Sequence, residues 1–219
     1  MIPFSYFNQM HIGLLLLCFF LGHLILVLPK YYQTDRRKAA RFIGLLILLT
    51  VGYEMYYRVT YEGFSWGQVA PLHFCSVSVI GAGLYLRTQK DQYFQVAYYF
   101  SFGAFLAMIL PGIRDYHHQL YFILFMGTHY FVLFAVAYGF KWLGAKPTWE
   151  GFKYASKICL LLFMISFFWN EMYFTNFMFT KIYLLPQFRV IQPFWTYQVL
   201  LIPSFLRIMY LFYLPFRKR

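Results

Sequence analysis

The sequence predicts an all-α, polytopic membrane protein of seven transmembrane helices, with the N-terminus outside and the C-terminus inside. Three observations carry that expectation. The 219 residues are 61% hydrophobic and only 12% charged, where soluble domains carry about 25% charged residues. Apolar segments long enough to span a bilayer, ~17–25 residues each, recur along the chain at 11–29, 41–59, 69–86, 93–111, 119–140, 155–174 and 194–214. The basic residues fall in alternate loops.

Each segment is bounded by turn chemistry. QTDRR, EGFSWGQ, RTQKDQ, PGIRD and GAKPTWEG separate successive spans, since Gly, Pro and short polar residues interrupt helices. The opening MIPFSYFNQMH has no Lys or Arg, so it lacks the basic n-region of a signal peptide, and 11–29 is expected to stay as a span. The third segment is the shortest. Residues 1–219 read as one seven-helix domain without an internal repeat, which gives no support to an inverted-repeat transporter. With the N-terminus outside, the inner side holds Lys30, Arg36, Arg37, Lys38, Arg41, Arg87, Lys90, Lys141, Lys146, Lys153, Lys157, Arg217, Lys218 and Arg219. The outer side holds Arg58, Arg114, Lys181 and Arg189. That asymmetry orients the bundle by the positive-inside rule and predicts a multi-pass protein of the cell membrane.

The net charge of +12 does not imply nucleic acid, because the cations form collars between apolar runs. Three cysteines without regular spacing make neither a disulfide framework nor a zinc pattern, and no cofactor is expected. The last span has no lysine, which disfavours a retinal-type receptor. The oligomeric state is not encoded in any pattern here.

The unusual residues map to the outer half. His11 opens span 1, Glu54 lies in span 2, His73 and Cys75 open span 3, and Asn170, Tyr173 and Asn176 close span 6. His129 lies about ten residues into span 5, ~15 Å deep at ~1.5 Å per residue. Ionisable groups in spans normally face the bundle interior or a watery cavity, so these residues predict one outward-facing pocket. Thr50, Glu54, Tyr57 and Tyr61 share a helical stripe, as do His118, Phe122, Phe125 and His129. His73 and Cys75, two positions apart, point ~200° away from each other on a regular helix. Both reach one pocket only if the helix start is irregular, and Pro71 suits a first turn.

A thiolate attacks esters, and a helix N-terminus or a nearby histidine favours the thiolate. Cys75 as nucleophile, His129 or His73 as base and Glu54 as orienter satisfy the nucleophile–base–orienter logic. A pocket at the depth of lipid ester bonds suits acyl transfer or ester hydrolysis on a membrane phospholipid. The apolar segment 175–193 is expected to lie in the outer interface as a lid, with Lys181 and Arg189 holding a lipid phosphate. His11, Tyr57, Tyr173 and Asn176 are the further candidate substrate contacts. The packing alternatives are a Glu54–Arg58 pair at i,i+4, a hydrogen-bonded core histidine at 73, and Cys75 as a small buried hydrophobe. Two other functions use the same residues. A transporter or flippase would use the pocket without covalent chemistry, favoured by Arg207 if it is buried in span 7 and not snorkelling to the interface. A zinc site from His11, Glu54, His73, Cys75 and His129 has suitable ligand types but no local spacing.

Several segments together resemble the YwaF-like bacterial integral membrane proteins: PLHFCS at 71–76, FSYFNQMH at 4–11, YE at 53–54, GTH at 127–129 and TNFMF at 175–179. Phe177 stands where that family has tyrosine, and no proline lies between Trp195 and Tyr197. The resemblance covers nearly the whole chain, and HxC is its strongest motif. That family is similar to a eukaryotic transmembrane acyltransferase that remodels ether phospholipids through a cysteine and a histidine. The resemblance implies Cys75 as nucleophile and His129 as its catalytic partner.

Overall fold

The computed structural model describes residues 2–31, 35–113 and 115–217. Arg114, Lys218 and Arg219, used above to orient the chain, lie outside them. Among the described residues the chain forms seven α-helices: α1 (Gln9–Tyr31), α2 (Arg36–Tyr61), α3 (Phe74–Thr88), α4 (Asp91–Ile109), α5 (Gln119–Tyr138), α6 (Trp149–Tyr173) and α7 (Phe194–Tyr213). A two-residue strand pair, β1 (Ile2–Pro3) and β2 (Asp115–Tyr116), runs antiparallel with Ile2 opposite Tyr116.

Local chemistry sets the helix starts. Asp35 caps α2, accepting the backbone N–H of Arg37 at 3.0 Å and of Lys38 at 3.2 Å. These N–H groups hold its carboxyl below the usual aspartate range, the Lys38 bond foremost. The helix therefore includes the basic stretch Arg36–Ala40 that hydropathy placed outside the span. Thr148 caps α6 through Gly151 N–H at 2.9 Å, which starts that helix at Trp149. A side-chain oxygen at such a position satisfies a donor the first turn leaves free. The largest departure is α3. It begins at Phe74, so Pro71 belongs to the preceding bends and not to the first turn.

The helices alternate in direction, which tertiary hydrogen bonds verify at both ends. At the end where α1 begins, His11 meets the Met108 carbonyl at the close of α4, and Trp169 near the end of α6 donates to Gly67 O before α3. At the opposite end, Trp142 after α5 donates to Leu26 O of α1, and Tyr138 of α5 donates to Arg36 O of α2. The Arg36 guanidinium also covers the Trp142 ring at 4.1 Å.

α4 is the central element, packed against α3, α5, α6 and α7. Its Phe94, Tyr99 and Phe100 are fully buried. α2 and α3 approach backbone to backbone: a Cβ on Gly44 would sit 2.5 Å from Arg87 N and 2.7 Å from Gly83 O. The exterior is apolar. Phe20 is 68% exposed and Phe168 69%, and an apolar surface on this scale is stable only against lipid or another apolar partner. Five helices are long and apolar enough to cross a membrane: α1, α2, α6, α5 extended to Leu143 and α7 extended to Phe216. The protein is thus a multi-pass helical membrane protein. α3, of 15 residues, and α4 do not meet that criterion. Both lie inside the bundle, where neighbouring helices and not lipid are the solvent, so their Ser78, Gln95 and Ser101 hydrogen-bond within the protein.

Candidate functional site

The site is assembled from α2, α3 and α5 near the end where α1 begins. Cys75 is the second residue of α3, and its sulfur lies against the backbone N–H and hydroxyl of Ser76. His73 is the N-cap, extended at φ −96°, ψ 156°. The ~200° argument therefore does not apply to it: one residue is on the helix and the other precedes it, so both can serve one cluster. α3 packs directly on α5, which carries His129. Several ionisable groups fall within electrostatic range of one another: Arg58 with Glu54, His73 and His129; His73 with His129; and Cys75 with Glu54. Tyr121 is within electrostatic reach of Arg58, Glu54 and Cys75. Separations of this order matter most where water is scarce.

The two histidines differ in which nitrogen is free. His129 Nδ1 lies 2.7 Å from the Phe125 carbonyl oxygen one turn earlier. A carbonyl only accepts, so Nδ1 carries the hydrogen, and in the neutral ring Nε2 keeps its lone pair. His129 is 8% exposed, and its Nε2 is buried without a hydrogen-bond partner among the described residues. His73 is the reverse. The Met178 N–H donates to its Nδ1 at 3.4 Å, which puts the ring hydrogen on Nε2. Its ring is held between Phe177 and Phe179, at centroid distances of 4.9 and 5.5 Å. His129 is thus arranged to accept a proton and His73 to donate one. The group that holds the His129 ring is the Phe125 carbonyl. Glu54 is partly buried, faces the Thr128 hydroxyl and makes no ion pair with Arg58.

Asn170 fixes the segment that meets His73. Fully buried, it donates to Phe177 O at 2.9 Å and Thr180 Oγ1 at 2.7 Å, and accepts from Phe177 N–H at 2.8 Å and Thr175 Oγ1 at 2.6 Å. Asn170→Ala leaves the Phe177 N–H unpartnered inside the protein, at ~1–3 kcal/mol, and leaves the Phe177 carbonyl only the long 3.5 Å bond from Thr180 N–H. The expected outcome is a loss of about 2–4 kcal/mol of stability, read as a lowered thermal midpoint in detergent. Asn170→Asp, which keeps the acceptor, should lose less.

The expected substrate contacts are mostly occupied by structural work. His11 has both nitrogens engaged, Nδ1 by Phe7 N–H at 3.1 Å and Nε2 by Met108 O at 2.7 Å, and it is fully buried. It ties the N-terminal stretch to α4 and has no polar atom left for a ligand. Tyr57 is buried against Tyr61 at 4.8 Å. Tyr173 is exposed and packs on Trp169 at 4.6 Å. Asn176 accepts the N–H groups of Lys181 and Ile182 at 2.9 Å each, closing its own turn. Lys181 pairs with Glu171 at 2.9 Å, and Arg189 is exposed on a short 3₁₀ turn, Pro186–Val190. A groove of about 350 Å³ lies among Phe167, Glu171, Thr180, Lys181, Phe194 and Gln198. It adjoins the 175–193 segment, and neither Cys75 nor His129 is among its walls. Arg207 is exposed on the outside of α7, so the burial that would have favoured transport is not found. Among the described residues no three His, Cys, Asp or Glu side chains converge at metal-ligating distance.

Sequence reasoning missed Arg58, Tyr121 and Glu62. Arg58 reads in sequence as an outer-side cation or a partner of Glu54, yet its guanidinium sits over the Phe64 ring at 4.6 Å and the Tyr121 ring at 5.8 Å. Gly63, at φ 76°, turns the chain back after α2 so that Phe64 covers Arg58. The buried Glu62 accepts the His117 and His118 N–H groups at 2.7 and 3.0 Å, clamping the start of α5 to the end of α2.

An apolar helical bundle with a thiol, two histidines and a cation gathered among its helices defines a multi-pass membrane protein with a polar site near one end. Its family follows from comparison. Residues 6–213 match the model of the TMEM164 family, and the chain belongs to that family. An uncharacterized protein of Treponema pallidum (strain Nichols) is 30% identical to it over 216 residues, 98% of this chain and 90% of the relative. No solved structure matches.

Proposed function

We propose that this protein is a membrane lipid acyltransferase or transacylase in which Cys75 is the nucleophile and His129 the base. It acts on membrane phospholipid from an outward-facing pocket of a seven-span bundle in the cell membrane, N-terminus outside. The observation that carries the reading is the free, buried Nε2 of His129, whose tautomer is fixed by the Phe125 carbonyl in a cluster that also contains a thiol. Supporting the orientation, the basic residues Lys30, Arg36, Arg37, Arg87, Lys90 and Lys146 fall at the end opposite the cluster. Resemblance to the YwaF-like proteins and their cysteine-dependent eukaryotic relative agrees in the roles of residues 75 and 129.

The chemistry balances with these residues alone. Nε2 takes the Sγ proton as sulfur attacks the ester carbonyl carbon. The tetrahedral centre collapses with cleavage of the bond between the acyl carbon and the glycerol oxygen, and the departing alkoxide takes the proton back from Nε2. The products are an acyl thioester on Cys75 and a lysophospholipid. A hydroxyl of an acceptor lysolipid then gives its proton to Nε2 and attacks the thioester, and the sulfur leaves and recovers that proton. Water in place of the acceptor makes the same site a hydrolase. A general base in this position is typically worth 10²–10⁴-fold.

The intermediate is testable directly. Purified protein incubated with phospholipid labelled in its acyl chains and quenched in acid should carry label that neutral hydroxylamine removes and that maps to the peptide containing Cys75. Label that survives hydroxylamine, or that maps to Cys18 or Cys159, would sink the mechanism.

A further inference from the structure

Arg58 is the polar group for which the mechanism above has no use. It lies on α2, one turn after Glu54. Its Nε is buried without a hydrogen-bond partner among the described residues. The ion pairs among the described residues use Asp35, Glu62, Glu150 and Glu171 as their acids, and none involves Arg58. The Phe64 ring at 4.6 Å and the Tyr121 ring at 5.8 Å lie against the cation, and neither ring accepts a conventional hydrogen bond from its N–H groups. Cation–π contact of this kind offsets part of the cost of desolvating the charge, but it satisfies no N–H. Arg58 is partly exposed, but an arginine with a buried open donor at Nε is costly to maintain for packing alone. Its charge is felt by the two histidines and by Glu54. His129 contributes a second buried polar atom without a partner.

We propose that Arg58 is the anion-recognition residue of this site, and that its ligand is the phosphodiester of a glycerophospholipid. The assignment rests on the lipid reading above and names the part of the substrate that is recognised. Arginine suits this task because its planar donors match two phosphate oxygens at once, with a fixed geometry that lysine lacks. Lys181 and Arg189, the phosphate ligands expected from sequence, are respectively paired with Glu171 and exposed. A phosphate held at Arg58 brings the glycerol esters of the same lipid to the thiol and imidazole of the cluster. An uncharged diacylglycerol has acyl esters but no group for this residue.

The test separates headgroup recognition from catalysis. Delipidated protein in neutral detergent is offered equal amounts of phosphatidylcholine and a diacylglycerol with the same chains, and retained lipid is measured by native mass spectrometry. Wild type and Cys75→Ala should both retain phosphatidylcholine over diacylglycerol by about tenfold, the usual scale for a hydrogen bond to a charged group. Arg58→Gln should erase the preference, and Arg58→Lys should keep part of it. Equal retention of the two lipids by wild type overturns the proposal even if the Gln variant fails to fold, and so does a preference that survives in Arg58→Gln. Inorganic phosphate at millimolar concentration should not displace the lipid. Displacement would assign the residue to free anions and overturn the lipid source. Loss of thioester formation with the preference intact would defeat the acyl-transfer reading and leave the anion site standing.

Discussion

Cys75→Ala should reduce phospholipid acyl turnover by about 10³-fold or more, the scale on which removing a covalent nucleophile acts, while yield and thermal midpoint stay near wild type. Stability should hold because the side chain is only partly buried and its hydrogen-bonding neighbour is Ser76 of its own helix turn. Cys75→Ser is the sharper comparison. It preserves volume and polarity, but a hydroxyl is a weaker nucleophile than a thiol at neutral pH. It should therefore be nearly as inactive as alanine. Cys18→Ala and Cys159→Ala serve as controls. Cys18 lies on α1 and Cys159 in the buried core of α6, and neither is expected to lower turnover through chemistry. Turnover retained in both Cys75 variants would eliminate covalent catalysis, and the transporter or flippase reading would then be the one to pursue through flux in liposomes.

Replacement of His129 by Gln should lower turnover by about 10²–10⁴-fold. His73→Gln should cost about tenfold or less, since the loss of a hydrogen-bond donor is smaller than the loss of a base. The two rings look equivalent in sequence, as either has the chemistry of a base for Cys75. Their hydrogen bonds separate them. His129 presents a lone pair at Nε2 because Phe125 O holds its other nitrogen, whereas the lone pair of His73 is directed to the Met178 N–H. Residual thioester formation identifies the step affected. Without His129 both acylation and deacylation should slow, whereas a disturbed His73 should act through the 175–180 segment and raise KM more than it lowers kcat. A His73 variant without activity beside an active His129 variant would reverse the assignment.

Much of the fold was legible in the chain. Apolar length, turn chemistry and charge alternation locate seven helices because each signal is local: a run must be apolar where lipid is its neighbour, and a cap must precede its helix. The limits of that logic appear at α3 and α4. There the neighbours are other helices, and hydropathy loses its meaning. The sequence also placed Cys75, His73, His129 and Glu54 near one end of the bundle, because polar groups in apolar runs are scarce.

What a residue is bonded to could not be read in the same way. His11, Tyr57, Asn176 and Lys181 look as functional as His129 in one dimension. Folding commits His11 to Met108, Asn176 to its own turn and Lys181 to Glu171, and leaves the unfilled nitrogens on His129 and Arg58. Sequence by itself determined which segments are helices and which polar side chains share an end of the bundle. The tertiary structure alone decided which of those side chains still have a lone pair or an N–H to offer. Hydrogen-bond saturation depends on partners ~100 residues away along the chain, such as Met108 for His11 and Met178 for His73, and no local pattern encodes them.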